Sequence, residues 1–172
     1  GVNKVPGPLY NYIIKRDGTI VKLTADNVKA NHAGRGLQSV LTRMQKNLPA
    51  TGDAKTAGKI SANARLIGVS LINDGLGEDI PVEQMDALVE LCAFLCDGHK
   101  WSPASAVIGH KEWTSRKVDP SFSMTELRGM IQKRMVTSVP TMTLPKEPED
   151  GLVPFPGTLR KGSRSQAVVH IQ

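Results

Sequence analysis

Aromatic side chains are scarce in this sequence: two Trp, two Tyr and three Phe, 4% of 172 residues. Surfaces that bind nucleic acid interleave aromatics with clustered Lys and Arg, and no helical stretch here is rich in basic residues. Nucleic acid is therefore not the expected partner, although charge alone leaves it as a weak alternative. Cysteine is nearly missing as well. Two thiols, Cys92 and Cys96, provide no disulfide framework. No apolar run reaches the roughly 20 residues that span a bilayer, so membrane insertion is not expected. The opening residues do not read as a secretory signal.

What is present is the composition of an ordinary globular protein, 40% hydrophobic and 22% charged. The length suits one domain with a real core plus an appendage. Lys and Arg outnumber Asp and Glu by 22 to 16, a net charge of +6. Such a balance favours an anionic partner, and an acidic cell-wall surface fits better than nucleic acid.

After the turn-rich Gly1 to Pro8, Leu9 to Ile14 and Thr19 to Leu23 read as two strands joined by a turn at Lys15 to Gly18. Asp17-Gly18 suits that turn because glycine takes the positive φ it requires. Apolar residues at 37, 40, 41, 44 and 48 have helical spacing. Pro49 to Lys59, rich in Gly, Ala and Thr, reads as a mobile loop beside or over a groove. Leu66 to Ile72 is almost continuously apolar, as a strand covered on both faces would be.

Glu78 to Asp97 is the clearest helix, with Pro81 in its first turn, Gly98 ending it, and Met85, Leu88, Val89, Cys92, Leu95 and Cys96 on one face. The two cysteines read as buried thiols of a helix–sheet core rather than as a zinc pair. Ser123-Met-Thr-Glu126 has the form of a capping box opening a last helix to about Met135. From Val139 to Gly157 the character changes: five of the chain's 11 prolines fall there, the mark of an extended linker. The order of strands and helices over residues 9–135 predicts an α/β layered domain.

The chemistry concentrates between Val107 and Phe122. An apolar run, Ala106 to Ile108, reads as the end of a buried strand; Gly109 lets the backbone turn and His110 follows at once. Nine residues on, Asp119 precedes a proline, which biases it to extended backbone. Lys117 stands two residues before it, on the same side of an extended segment. An imidazole, a carboxylate and an ammonium at a strand end are the parts of a metal-hydrolase site, and zinc accepts such nitrogen and oxygen ligands. By spacing alone, a surface loop with solvated charges and a capping Asp accounts for the same residues.

Gly109-His110-Lys-Glu-Trp followed by Lys117-Val-Asp-Pro-Ser-Phe122 resembles the second half of the zinc-dependent N-acetylmuramoyl-L-alanine amidases of phage endolysins, whose fold peptidoglycan recognition proteins share. The resemblance runs from about Val5 to Ile131. It implies a mixed central sheet with helices on both faces and a metal groove at the strand ends. It also implies zinc as cofactor, His110 and Asp119 as metal ligands and Lys117 as a catalytic lysine.

Tyr10 sits where some phage amidases place a tyrosine beside the metal. There its phenol would donate to a developing oxyanion, whereas the residues alone equally allow a half-exposed strand tyrosine. Asn31-His32-Ala-Gly34 matches a loop near the cleft and makes Asn31 and His32 candidate substrate-binding residues. His32 also fits a structural histidine or, if the loop bends inwards, a stand-in ligand. Ser70 occupies the place where many bacterial members carry a glutamate acting as general base or acid, which puts that role in doubt here.

In the family the hairpin follows a strand carrying the first zinc histidine, and no such residue precedes Leu9 in this sequence. Residues 1–138 are accordingly expected to form an amidase-like domain lacking its first strand, and 139–157 a linker. Residues 158–172 resemble the first helix of a small peptidoglycan-binding module. The expected activity is hydrolysis of the amide between N-acetylmuramic acid and L-alanine by a phage lysin, made in the host cytoplasm and acting at the bacterial wall, or carried in the virion. The alternative is a degenerate amidase that holds peptidoglycan without cutting it. Oligomeric state is not legible.

Overall fold

In the computed structural model the described residues are 7–74 and 78–137, together with the backbone of 169–171. Along the chain these form strands β1 (Tyr12–Ile14), β2 (Ile20–Lys22) and β3 (Arg35–Gly36), helix α1 (Gln38–Gln45), and strands β4 (Ile60–Ser61) and β5 (Ile67–Leu71). Then come helices α2 (Val82–His99) and α3 (Pro103–Ala106), strand β6 (Val107–Gly109), helices α4 (His110–Trp113) and α5 (Met124–Thr137), and strand β7 (Val169–Ile171).

The main sheet has the order β2-β1-β5-β7-β6, with β3 and β4 making a separate pair. β1, β5, β7 and β6 run parallel and β2 is antiparallel to β1, so the sheet is mixed. Its side chains divide by alternation. Tyr12, Ile14, Ile67, Val69 and Val107 face one core with α2 and α5, built on Leu88, Leu91, Cys92, Leu95, Leu127 and Ile131. Ile108 faces the other, with Leu41 and Met44 of α1 and Trp113 of α4. This is the expected α/β arrangement with helices on both faces.

Local chemistry explains the boundaries. Gly18, at φ +82°, closes the β1–β2 turn, whose Lys15 N–H donates to the Thr19 carbonyl at 2.9 Å. The buried amide of Gln84 donates to the carbonyls of Ile14 and Ile72 at 3.0 Å each, tying the first turn of α2 to the ends of β1 and β5. Cys92 and Cys96 are fully buried free thiols, and burial pushes the Cys96 thiol up to about 12. Helix α2 does not stop at Gly98. It continues to His99 and ends on Lys100, left-handed at φ 60°, whose N–H and that of Trp101 return to Asp97 and Cys96 at 3.2 and 2.8 Å. On α5, Ser123 Oγ accepts from the Glu126 N–H at 3.2 Å.

The segment 49–59, read as a mobile loop, is stitched to its surroundings. Ala50 N–H donates to Ala104 O at 3.0 Å, Ala54 N–H to Lys111 O at 2.8 Å, and Thr114 Oγ to Ala57 O at 2.7 Å. A second difference lies at the C-terminal end. Three residues of the stretch read as a wall-binding helix are a strand, β7, which sits inside the sheet between β5 and β6. The proline-rich 139–157 and residues 158–168 lie outside the described residues.

Candidate functional site

Strand β6 is buried at all three residues and delivers the chain to Gly109, from which α4 starts at His110. The short helix is held by a carboxylate. Glu112 Oε2 accepts the Gly109 N–H at 2.9 Å, the position from which a third helical residue satisfies a free N-terminal donor. Arg128 on α5 grips the same carboxylate with two hydrogen bonds of 2.9 and 2.8 Å and donates a third to the Val107 carbonyl at 2.9 Å. Both side chains are largely buried, 12% and 3% exposed. The turn that presents His110 is thus braced from β6, α4 and α5 at once.

His110 is 3% exposed. Its Nδ1 lies 3.0 Å from Asp119 Oδ2, and since an ionised carboxylate only accepts, Nδ1–H is the donor. The backbone repeats the link: Lys111 N–H donates to the Asp119 carbonyl at 2.7 Å, and Lys111 Nζ to the Phe122 carbonyl at 2.9 Å. The peptide between Asp119 and Pro120 is cis. Burial alone would raise the Asp119 pKa, but the hydrogen bond and charge of His110, with a contribution from Lys117, hold it below the usual carboxylate value. Lys117 is exposed and near enough for its charge to be felt there. His110 and Asp119 lie in hydrogen-bond contact, and Lys117 stands two residues before Asp119 on the exposed side of the segment.

Two donors about 2.0–2.1 Å from a tetrahedral zinc ion stand about 3.3 Å apart. Once Nδ1 gives up its proton, the 3.0 Å pair needs only a small opening to hold one ion, and its nitrogen–oxygen chemistry suits zinc. Among the described residues no group of three His, Cys, Asp or Glu side chains is placed to bind a metal.

The other candidates are placed differently. His32 is 4% exposed, its Nε2 2.9 Å from the Leu66 carbonyl, to which it donates. Its ring lies against β5 at Gly68, where an added Cβ would come within 2.4 Å of His32 Cγ. Burial, and secondarily the charge of His110, lowers its pKa to about 4, against the opposing pull of the Leu66 carbonyl. His32 is thus a buried, neutral imidazole packed on β5 at Gly68.

Asn31 is half-buried, its side-chain oxygen accepting from Asn63 at 3.3 Å. Asn63 in turn accepts the N–H groups of Ala33 and Gly34 at 2.9 Å each. Tyr10 is half-buried just before β1, and among the described residues no hydrogen bond joins it to His110, Asp119 or Lys117. Ser70 shares a strand face with Gly68, so that face of β5 presents a hydroxyl and no carboxylate.

Sequence reasoning missed Glu112, Arg128, Asn63 and the anchoring role of Trp113. The Trp113 indole donates to Ala33 O at 3.0 Å and packs so closely on Gly36 that a Cβ there would meet it at 2.2 Å. For Glu112 a signal existed in its place three residues after Gly109. For Arg128 and Asn63 there was none, because their partners are distant in sequence.

Compared with known proteins, the chain matches the family model described as N-acetylmuramoyl-L-alanine amidase over residues 2–122. No curated protein and no solved structure matches it.

Proposed function

Starting from a chain that belongs to the N-acetylmuramoyl-L-alanine amidase family, we propose that it hydrolyses the amide joining the lactyl group of N-acetylmuramic acid to L-alanine in peptidoglycan. The observation that carries this reading is the His110–Asp119 pair, 3.0 Å apart at the carboxyl end of β6 and inside the matched residues. Ligands of open α/β sheets gather at such strand ends.

Zinc is the cofactor we assign, held by His110 and Asp119. When bound it would polarise the scissile carbonyl and acidify a water. The chain's own contribution is positional and electrostatic. Glu112 and Arg128 fix the turn that presents His110, and the Lys111 N–H holds the backbone of Asp119 beside it. Lys117, an exposed cation two residues before Asp119, would stabilise the negative oxygen that develops as water adds to the carbonyl. Collapse of the adduct breaks the carbon–nitrogen bond as the proton given up by the attacking water passes to the departing nitrogen, leaving a lactyl carboxylic acid and the free amine of alanine. Tyr10 is a candidate second donor to that oxygen.

We place the protein at the bacterial cell wall as a phage lysin, made in the host cytoplasm or carried in the virion. The net charge of +6 suits an anionic wall. The second reading, a wall-binding protein without activity, draws on Ser70, which leaves that position of β5 without a carboxylate base.

The test is release of new N-terminal alanine from purified walls. The intact protein should release it, and removal of metal by a chelator should abolish release. Lys117→Ala should lower kcat by about 100-fold or more with wall binding retained, the loss expected when one transition-state donor is removed. Wall binding with no new amine, in added zinc, would leave the binder as the correct reading.

A further inference from the structure

A hydrolytic zinc site takes three protein ligands and leaves its fourth position to water. The described side chains supply two, His110 and Asp119, and no third. The chain has four histidines. His99 ends α2, its ring stacked on Trp101 at a centroid distance of 4.0 Å. His32 spends its Nε2 on the Leu66 carbonyl. The fourth is His170, at the centre of β7.

The sheet gives position 170 an address. β7 is an interior strand, parallel to β5 on one side and to β6 on the other, with His170 in register with Gly68 and with Ile108. Residues in register on neighbouring strands share a face. Ile108 belongs to the core of Trp113 and Leu41, and Gly68 is the glycine against which His32 lies. The flanking positions, Ile67 and Val107, belong to the opposite core under α2. Position 170 is therefore on the site's face of the sheet, next to Gly68 beneath His32, and one strand from β6, where His110 follows two residues after Ile108.

We propose that His170 is the third metal-binding residue, contributed by the C-terminal strand. The ligand set then joins residues from far apart in the chain, since β7 follows α5 by more than thirty residues. It closes only when that strand is in the sheet. An ion that binds the closed form alone favours insertion of β7 by mass action, so metal affinity and strand insertion are linked.

The inference rests on the zinc reading above, and the experiment separates the two. The full chain, stripped of metal, is titrated with zinc against a chromophoric chelator, and with cobalt(II) followed by its absorption. Wild type should bind one equivalent. His170→Ala should lower zinc affinity more than about 100-fold, while His32→Gln should change it less than about threefold. His170→Cys should bind cobalt with a thiolate-to-metal charge-transfer band, which arises only if residue 170 itself coordinates. Wild type is its blank, because Cys92 and Cys96 are buried in the α2 core. His170→Ala with near wild-type zinc affinity overturns the proposal and leaves the zinc reading intact; a wild type that binds no metal overturns both. If His170→Ala does not fold, the cysteine variant decides, and a folded His170→Cys without the band overturns the proposal.

Discussion

A buried imidazole beside a site can serve as a ligand, a base or a wall, and His32 is the residue on which the distinction turns. Its ring is 4% exposed, and burial lowers its pKa to about 4. In the unfolded chain a histidine titrates near 6.5. The folded value is the lower one, so the unfolded state binds the extra proton more tightly between those limits. The corresponding stability is fully present above about pH 6.5 and is lost as the pH falls through about 4, amounting to about 3 kcal/mol. Urea unfolding of the metal-free protein at pH 7 and pH 4.5 should show this loss, and His32→Gln, which keeps an N–H for Leu66, should flatten the slope. An unchanged slope would mean that His32 is protonated at little cost. The sequence marked His32 through its Asn-His-Ala-Gly setting but left its role open, because the burial comes from Gly68, 36 residues away and without a side chain of its own.

At the scale of elements, the junction of β6, α4 and α5 depends on Glu112 and Arg128. A carboxylate 3% exposed and a guanidinium 12% exposed have both left water, so removing one strands the other. Arg128→Met should cost about 3–5 kcal/mol, whereas Glu112→Leu combined with Arg128→Met should cost clearly less than the two single changes added. A double-mutant cycle by urea unfolding measures the difference; additive losses would mean that the pair is not coupled. Helix α2 offers the opposite change. Lys100 holds a left-handed conformation that glycine adopts without strain. Lys100→Gly should stabilise the protein by about 0.5–1 kcal/mol, read as a rise in Tm. Helices α2 and α5 and the β1–β2 hairpin were legible in the sequence because apolar spacing, a turn glycine and a cap are local signals. The end of α2 was misplaced at Gly98 because the helix uses lysine where glycine is usual. The Glu112–Arg128 brace was invisible because nothing periodic links positions 16 apart on different elements.

Across the whole molecule, what local reading could not supply was the order of the sheet. Val168-Val169-His170-Ile171 has the composition of a short strand, but three or four residues give a weak periodic signal. The neighbouring Leu159-Arg-Lys-Gly-Ser163 pulled the stretch towards a separate wall-binding helix. An interior strand that arrives last along the chain is a non-local fact, fixed by what β5 and β6 leave unpaired. On the sequence reading, deleting residues 139–172 would leave the stability of the rest nearly unchanged. The sheet order reverses that expectation. Without β7 the inner backbone edges of β5 and β6 face a gap, and ladder bonds worth about 0.5–1.5 kcal/mol each are lost together. Deletion of 169–172 should therefore lower stability by on the order of 3 kcal/mol or more and leave open edges prone to intermolecular pairing. A peptide spanning residues 165–172 should restore part of the loss, in a manner that depends on peptide concentration. Thermal unfolding of the full chain, the deletion variant and the variant with peptide decides it. A deletion variant as stable as the full chain would remove β7 from the sheet, and with it the route by which His170 reaches the site.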